Sequence, residues 1–274
     1  MGVGLAFPLD QYEALDIDIS RLSDQRLGGW PKPPEVTNRG LIGSAYDLLV
    51  KDIIGSFVLK PTKKLITMGN KMVGKPPRRD AIDPWEMSQN RYNIMLFARL
   101  RERSPPNAPN PSPKTFCLST YHMPCAFFAP MVMNIHAEMV AQRTQKLSGG
   151  DPHVLAGDFN IVPGSSTYNL ITKGELSKSD PTYPCSRYGV DWVSGIQPMR
   201  SAYMVMDGKE PDFTNYAQTR EDDPFIDTLD YFFLSNEWKV KEVTKIPHRD
   251  NANGPYPNED EPSDHVLIAT NLEI

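Results

Sequence analysis

The stretch Asp151-Pro-His-Val-Leu-Ala-Gly-Asp-Phe-Asn-Ile-Val-Pro-Gly164 limits the folds open to this chain more than any other. His153 to Ala156 is a short apolar run of the kind that fills a buried strand. It gives way at Gly157 and is followed by Asp158 and Asn160. An acid and an amide just past the end of a buried strand are held rigidly and face the cleft that the sheet edges form. That is a good place to bind a metal-bound phosphate. An Asx turn closing the strand uses the same residue types, so the rest of the chain has to weigh between the two.

Further strands are expected at Val3 to Phe7 and Tyr12 to Ile19, paired through Pro8-Leu9-Asp10, the second alternating as a strand with one wet face does. Tyr92 to Leu100 reads as a central strand and Phe225 to Leu234 as a strongly buried one, with Thr115 to His122, Trp238 to Ile246 and Val266 to Ala269 as further strands. Pro130 opens a helix running to about Leu147, with Met131, Ile135, Met139 and Leu147 on its apolar stripe. His136 on that helix reads as a surface or packing residue. Ser165 to Ile171 is a second helix, closed by Lys173-Gly174, and Met199 to Met206 a short third. Strands outnumber helices, and helices fall between pairs of strands. This predicts a layered α/β sandwich with helices packed outside two sheets.

Gly28 to Pro84 differs in character. It opens with Gly28-Gly-Trp-Pro-Lys-Pro-Pro34, passes a short helical segment (41–50) and an isolated apolar one (53–59), and ends basic and proline-rich. Arg78 and Arg79 there are either solvated or phosphate contacts. The segment reads as an insertion or cover on a single domain spanning 1–274, and Ser104 to Pro113 as a loop. A net charge of −5 supplies no global basic field for nucleic acid, so a phosphate substrate must be captured by a local patch or a metal. Cys117, Cys125 and Cys185 are too few and too scattered for a disulfide framework or a zinc site, and they fit a reducing, cytoplasmic compartment. No apolar run is long enough to span a membrane, and the start of the chain lacks a basic-then-apolar leader.

Polar residues cluster at strand ends: His122, Asp158 with Asn160, Asp230, and Asp264 with His265. Asp230, in Thr-Leu-Asp-Tyr-Phe-Phe-Leu, is expected inside a buried strand, and a buried carboxylate needs a partner. A carboxylate on one ring nitrogen of a histidine fixes the tautomer and leaves the other nitrogen for substrate. His265, opening the final strand, is the chosen partner; the alternative is a carboxylate that caps backbone amides. Asp158, Asn160 and Asp264 offer oxygen ligands suited to magnesium, with manganese a second choice. Such an ion would neutralise a phosphate and help activate water.

Gly157-Asp-Phe-Asn160, Leu229-Asp-Tyr-Phe232 and Ser263-Asp-His265, in this order and at these separations, resemble the endonuclease/exonuclease/phosphatase superfamily. Tyr121-His122-Met123, Ser201-Ala-Tyr203, Phe213-Thr-Asn-Tyr216 and Pro262-Ser-Asp-His265 bring the chain closer to one branch. It holds the carbon-catabolite-repressor type deadenylases, nocturnin and the 2′-phosphodiesterases. The resemblance covers Asn90 to the C-terminus well and Gly2 to Ile19 loosely. It implies a two-sheet α/β sandwich of the deoxyribonuclease I type with a metal-bound phosphate site at the sheet edges. Asp158 would then activate or position water and Asn160 orient the phosphate. Asp230 would hold His265, which with Asp264 would bind the phosphate and metal region. His122 would contact or protonate the phosphate side, and Asn90 would touch substrate. The family also begins with an Asn-bearing strand, a helix and a strand whose Glu is its principal metal ligand. Neither is matched here, and Glu13 and Glu35 lack the context to replace that Glu. The first strands of the fold are therefore expected to be missing.

Three readings follow. The first is a divalent-metal-dependent phosphodiesterase acting on RNA 3′ ends, as a 3′–5′ exoribonuclease or deadenylase, or on a phosphorylated nucleotide. The second is a degenerate member that binds RNA or a protein partner without cleaving. The third is a phosphomonoesterase or phospholipid-headgroup hydrolase of the same superfamily.

Overall fold

In the computed structural model of the chain, the described residues are 2–34, 83–104, 113–218 and 223–274. The chain divides into two compact units, 1–30 with 84–274, and 31–83. The segments 41–50 and 53–59, Arg78, Arg79, Glu35, and most of the 104–113 loop lie outside the described residues.

In chain order the first unit contains β1 (Tyr12–Arg21), a 3-10 turn (Leu22–Gln25), α1 (Pro84–Gln89), β2 (Ile94–Glu102) and β3 (Thr115–Tyr121). Next come α2 (Pro130–Ser148), β4 (His153–Asp158), α3 (Ser166–Lys173), β5 (Arg200–Ser201) and α4 (Ala202–Asp207). The last elements are β6 (Asn215–Ala217), β7 (Phe225–Asp227), β8 (Asp230–Leu234), β9 (Lys239–Val243), a 3-10 turn (Arg249–Asn251) and β10 (Thr270–Glu273). Six strands form one sheet in the order β1-β2-β3-β4-β8-β5, while β9 with β10 and β6 with β7 form two-stranded sheets. Among the described strands only β3 and β4 pair in parallel, and a parallel step needs a crossover. α2 supplies it, set between them with Pro130 in its first turn and Gly149 in the left-handed conformation at its end.

One face of the large sheet, with Met95, Phe97, Leu155, Tyr231 and Phe233, packs against Val132, Ile135, Met139 and Val140 of α2. On the other face Phe116, Leu118, Val154, Phe232 and Leu234 meet Trp238, Val240, Val243 and Leu272 from the β9–β10 ribbon. The expected α/β sandwich is thus present, with helices outside one sheet and a small second sheet on its back. Each large apolar side chain removed from water in these layers contributes about 1.5–3 kcal/mol. The cover stops short of β1, where Ile17 and Ile19 remain 55% and 67% exposed.

Several expected boundaries move. Residues 3–7 form no strand; Gly2 and Gly4 put bare backbone at alternate positions with nothing to pack, and Pro8 O takes Gln11 N and Tyr12 N into a turn. The run Phe225 to Leu234 is two strands, because the Thr214 hydroxyl accepts both Leu229 N and Asp230 N and interrupts the ladder. Asp230 therefore opens β8 instead of lying inside a strand. Residues 266–269 are not a strand: Val266 N bonds Thr214 O, and pairing with β9 begins at Thr270. The strand expected over Trp238 to Ile246 shortens to β9. The short third helix starts at Ala202. α2 is buried almost all round instead of along one stripe. Of its buried polar residues, Asn134 is served by Thr182 and Thr167.

His136, on α2, is a packing residue: it is wholly buried, with Nδ1 2.8 Å from the Tyr121 hydroxyl and Nε2 3.2 Å from Ser88 O. Burial pushes its pKa down to about 4, while burial pushes Glu138 on the same helix up to about 7. These act in opposite directions on stability. His136, near 6.5 when unfolded, contributes stability above that pH that is lost as pH falls toward 4. Glu138, near 4.5 when unfolded, contributes below that pH, and its contribution is lost as pH rises through 7. Each amounts to about 3 kcal/mol, so the two largely offset between pH 4.5 and 6.5. Glu138→Gln is expected to expose the histidine alone, with urea-unfolding stability rising by about 3 kcal/mol from pH 4 to 6.5. A Glu138→Gln profile no steeper than wild type would refute the opposition.

Candidate active site

The site is assembled by sheet register. Asp158, last in β4, pairs across the antiparallel ladder with Asp230, first in β8. The close approach of β3 to β4 needs Gly157, which has φ +143° and where a Cβ would lie 2.1 Å from Tyr121 O. Met123 N then bonds Asp158 O at 2.9 Å, tying the segment after β3 to the end of β4. His122 is thereby set beside Asp158, Nε2 to Oδ2 3.3 Å. Asn93 fixes it from the other side, its Nδ2 donating to His122 O at 2.7 Å.

Asn160 is buried and has φ +51°. Its backbone N–H donates to Asp158 Oδ1 at 2.8 Å, and its Nδ2 donates to Met123 O at 3.0 Å and Asp158 Oδ2 at 3.3 Å. The Asx turn weighed against a functional reading is therefore real, and it is also what orients Asp158. His265 Nδ1 lies 2.7 Å from Asp230 Oδ2, the pairing expected from the sequence, and its Nε2 lies 3.9 Å from Asp158 Oδ2. Asp230 Oδ2 also accepts the hydroxyl of the buried Thr214 at 2.7 Å.

Asp158, Asn160, Asp230, His265 and His122 thus converge. Asp264 stands at the margin: its backbone O takes Tyr216 N and Asn215 Nδ2, and its Oδ2 faces Asn215 Nδ2 at 3.5 Å. Asn90 is exposed and lines a separate depression with Arg21, Trp30, Gln89 and Tyr92. The asparagine that reaches the cluster is Asn93, three residues on. Asn93 and Thr214 were not singled out by sequence reasoning. Thr214 lies within the Phe213-Thr-Asn-Tyr216 motif, which was the available signal; Asn93 gave none.

Burial, then the Asp230 charge, raises the Asp158 pKa, against the opposing pull of the Asn160 N–H and the two histidines. The hydrogen bond to Asp230 raises that of His265, with Asp158 and Asp264 adding to it. The cluster therefore pairs a carboxylate that takes up protons readily with an imidazole that keeps its proton. Among the described residues no three His, Cys, Asp or Glu side chains are grouped to hold a metal ion. Asp158 and Asn160 alone do not make a magnesium site without further donors.

The Endonuclease/Exonuclease/phosphatase family pattern matches residues 17–265. The chain belongs to this family. Its sequence is 33% identical over 125 residues to the Carbon catabolite repressor protein 4 homolog 4 of Arabidopsis thaliana, covering 44% of this chain and 27% of that protein. It is 35% identical over 133 residues to the CCR4-Not complex 3′-5′-exoribonuclease subunit Ccr4 of Aspergillus oryzae, covering 46% of this chain and 17% of that protein. The matched stretch thus spans well under half of these relatives. Among solved structures, ANGEL2, a 2′,3′-cyclic phosphatase, aligns at TM-score 0.51 and 18% identity over 68% of this chain and 62% of its own. An endonuclease/exonuclease/phosphatase from Bacteroides vulgatus aligns at TM-score 0.52 and 18% identity over 98% and 68%. These two show the same fold. The activities named among the relatives are hydrolyses of phosphoric esters. No described helix is long and apolar enough to cross a membrane.

Proposed function

We propose that the chain is a phosphodiesterase that cleaves RNA from the 3′ end or hydrolyses a phosphorylated nucleotide. The observation that carries this reading is the Asp158–His122–His265–Asp230 cluster at the paired ends of β4 and β8. In it, Asp158 orients an attacking water and accepts its proton at Oδ2. His265, kept protonated by Asp230, donates from Nε2 to a phosphate oxygen as charge develops there. His122, with Nε2 3.3 Å from the same Asp158 Oδ2, shares the phosphate. Magnesium or manganese, when bound, would neutralise phosphate charge; Asp158, Asn160 and the marginal Asp264 would hold it together with the substrate's own oxygens.

An aromatic pair supports a nucleotide substrate. Phe127 and Phe225 are each about half exposed, with ring centroids 6.4 Å apart. Phe127 lines, with Asn160, Pro130 and Ile161, an apolar cavity of about 260 Å³. Such rings accept a base by stacking, at about 1–3 kcal/mol per base.

A labelled oligoadenylate, a cyclic nucleotide and a phosphomonoester, each with and without magnesium, test the reading. Shortening of the oligoadenylate from its 3′ end is the expected result, and turnover of the phosphomonoester alone would overturn it. The lack of a three-residue metal cluster among the described residues favours a second reading, in which the chain binds RNA without cleaving. Tight oligoadenylate binding with no product at any metal concentration would establish that one.

The two titrating groups also set a pH profile. Activity should rise as Asp158 loses its proton, above its ordinary 3.8, and fall as His265 loses its own, above 6.5. Asp230→Asn removes the partner that raises His265, so the alkaline limb is expected to shift to lower pH. An unmoved limb would exclude His265 as the group reporting there.

A further inference from the structure

The depression that holds Asn90 has a volume of about 390 Å³. It is lined by Arg21 at the end of β1, by Arg26 and Trp30 beyond the 3-10 turn, and by Asn90 and Tyr92 between α1 and β2. Its walls are tied together. Arg21 donates to Gln89 O at 2.8 Å and to Arg91 O at 2.9 Å, Ser23 Oγ to Arg91 O at 2.6 Å, and Trp30 Nε1 to Ser23 O at 2.7 Å. The shape thus exists before a ligand arrives, which lowers the ordering cost of binding.

The lining has the chemistry of a nucleotide site. Tyr92 is 79% exposed, and a ring left in water gains little from the core. The Arg21 guanidinium lies 4.2 Å from its centre and steadies it. The Arg26 guanidinium lies 5.5 Å from the ring centre of Trp30 and 4.8 Å from that of Trp85. The acid of the lining, Asp24, is paired with Arg21 at 3.3 Å, so two guanidiniums against one carboxylate leave the depression positive in a chain of net charge −5. The exposed Asn90 adds an amide, with both donor and acceptor. Unstacked bases of single strands are held on such rings and read by such side chains.

Sheet register places this depression on the edge that carries the catalytic cluster. Arg21 pairs with Ile94. Continuing the β2–β3 and β3–β4 registers sets His122 opposite Ile94 and Asp158 opposite His122. Met123 N on Asp158 O keeps the second of these registers. Arg21 therefore ends the same row as His122, Asp158 and Asp230, and three strand spacings put it roughly 14 Å from Asp158. A few nucleotides of extended single strand cover that distance. The two places are also joined directly, since Leu22 N bonds Asn93 O and Asn93 Nδ2 holds His122 O.

We propose that this depression is a second nucleotide subsite, in which an upstream base of a single strand stacks on Tyr92, Asn90 meets the edge of that base, and Arg26 faces its phosphate. That the strand is the one being cleaved rests on the function proposed above; that a nucleotide binds here does not.

The test uses the full chain with chelator present, so that nothing is cleaved. Fluorescent oligoadenylates of two and eight nucleotides are bound to wild type, Tyr92→Ala and Tyr92→Trp. Tyr92→Ala is expected to bind the longer strand about tenfold or more weakly and the dinucleotide, too short to reach, as wild type does. Tyr92→Trp should keep the affinity. Undiminished binding of the longer strand by Tyr92→Ala would overturn the subsite, and so would an equal loss for both lengths or a wild type that binds neither. Magnesium is then restored. Cleavage that persists with undiminished affinity in Tyr92→Ala would leave the proposed function standing without the subsite. Tyr92-dependent binding with no product would uphold the subsite and remove the cleavage. Should Tyr92→Ala not fold, the wild-type protein still decides by photocross-linking to an eight-nucleotide strand carrying a single 4-thiouridine. Internal positions must cross-link within residues 89–92 and the 3′-terminal position must not; no cross-link there from any position would refute the subsite.

Discussion

Replacing His265 by alanine is expected to lower oligoadenylate hydrolysis by about 10³-fold, the scale on which a positioned proton donor and its charge contribute. The His265 ring is held at one nitrogen by Asp230 and presents the other 3.9 Å from Asp158, which fixes both its tautomer and its direction. Asp158→Ala should cost at least as much, because it removes the proton acceptor and the group that His122 and Asn160 are arranged around. Residues acting as a unit are not additive, so the double variant should be little slower than either single one. Asp158→Ala should melt near wild type, since it removes a carboxylate that is costly to bury, whereas His265→Ala leaves Asp230 with Thr214 alone and should melt somewhat lower while still folding. Turnover assays beside thermal melts decide the matter, and wild-type-like turnover in either single variant would sink the assignment.

The second large effect belongs to Gly157→Ala. An added methyl would lie 2.1 Å from Tyr121 O and 3.1 Å from Tyr121 C, both backbone atoms inside a paired ladder, and φ +143° is hostile to any side chain. β3 and β4 would have to separate in the centre of the sheet. We expect a loss of about 3–5 kcal/mol in urea unfolding, together with loss of activity, as His122 is carried away from Asp158. A loss below about 1 kcal/mol would mean that the strands are not in this contact.

Much of this was legible from residues alone. Alternation disclosed β1 and apolar runs disclosed β2 to β4, and Pro130 and Gly174 marked helix ends because each performs a backbone task that few residues can. Asp158, Asp230 and His265 stood out because charges amid apolar runs demand partners. What stayed hidden was carried by ordinary polar residues whose meaning is purely spatial. Thr214 breaks the 225–234 run from outside it. Asn93 and Asn90 look alike in a string, yet only Asn93 reaches His122. The all-round burial of α2 arises from α1, α3, the first 3-10 turn and the segments at Thr182 and Gln197 that pack around it, and no periodicity in the helix announces that. Val266 to Ala269 has the residues of a strand, but Thr214 holds its start and pairing waits until Thr270.

The pairing of Asp158 with Asp230 makes the working geometry a property of alignment between two strands. A slip of one residue between β4 and β8 would send one of the two carboxylates to the opposite side of the sheet. The site therefore has no loose version that evolution could tighten by degrees: the loops around it must keep His122, Asn160, Thr214 and His265 in place, and an insertion or deletion within either strand is all or nothing. In lineages where catalysis is lost, the change should be sought first in the side chains themselves, with the frame beneath them left standing.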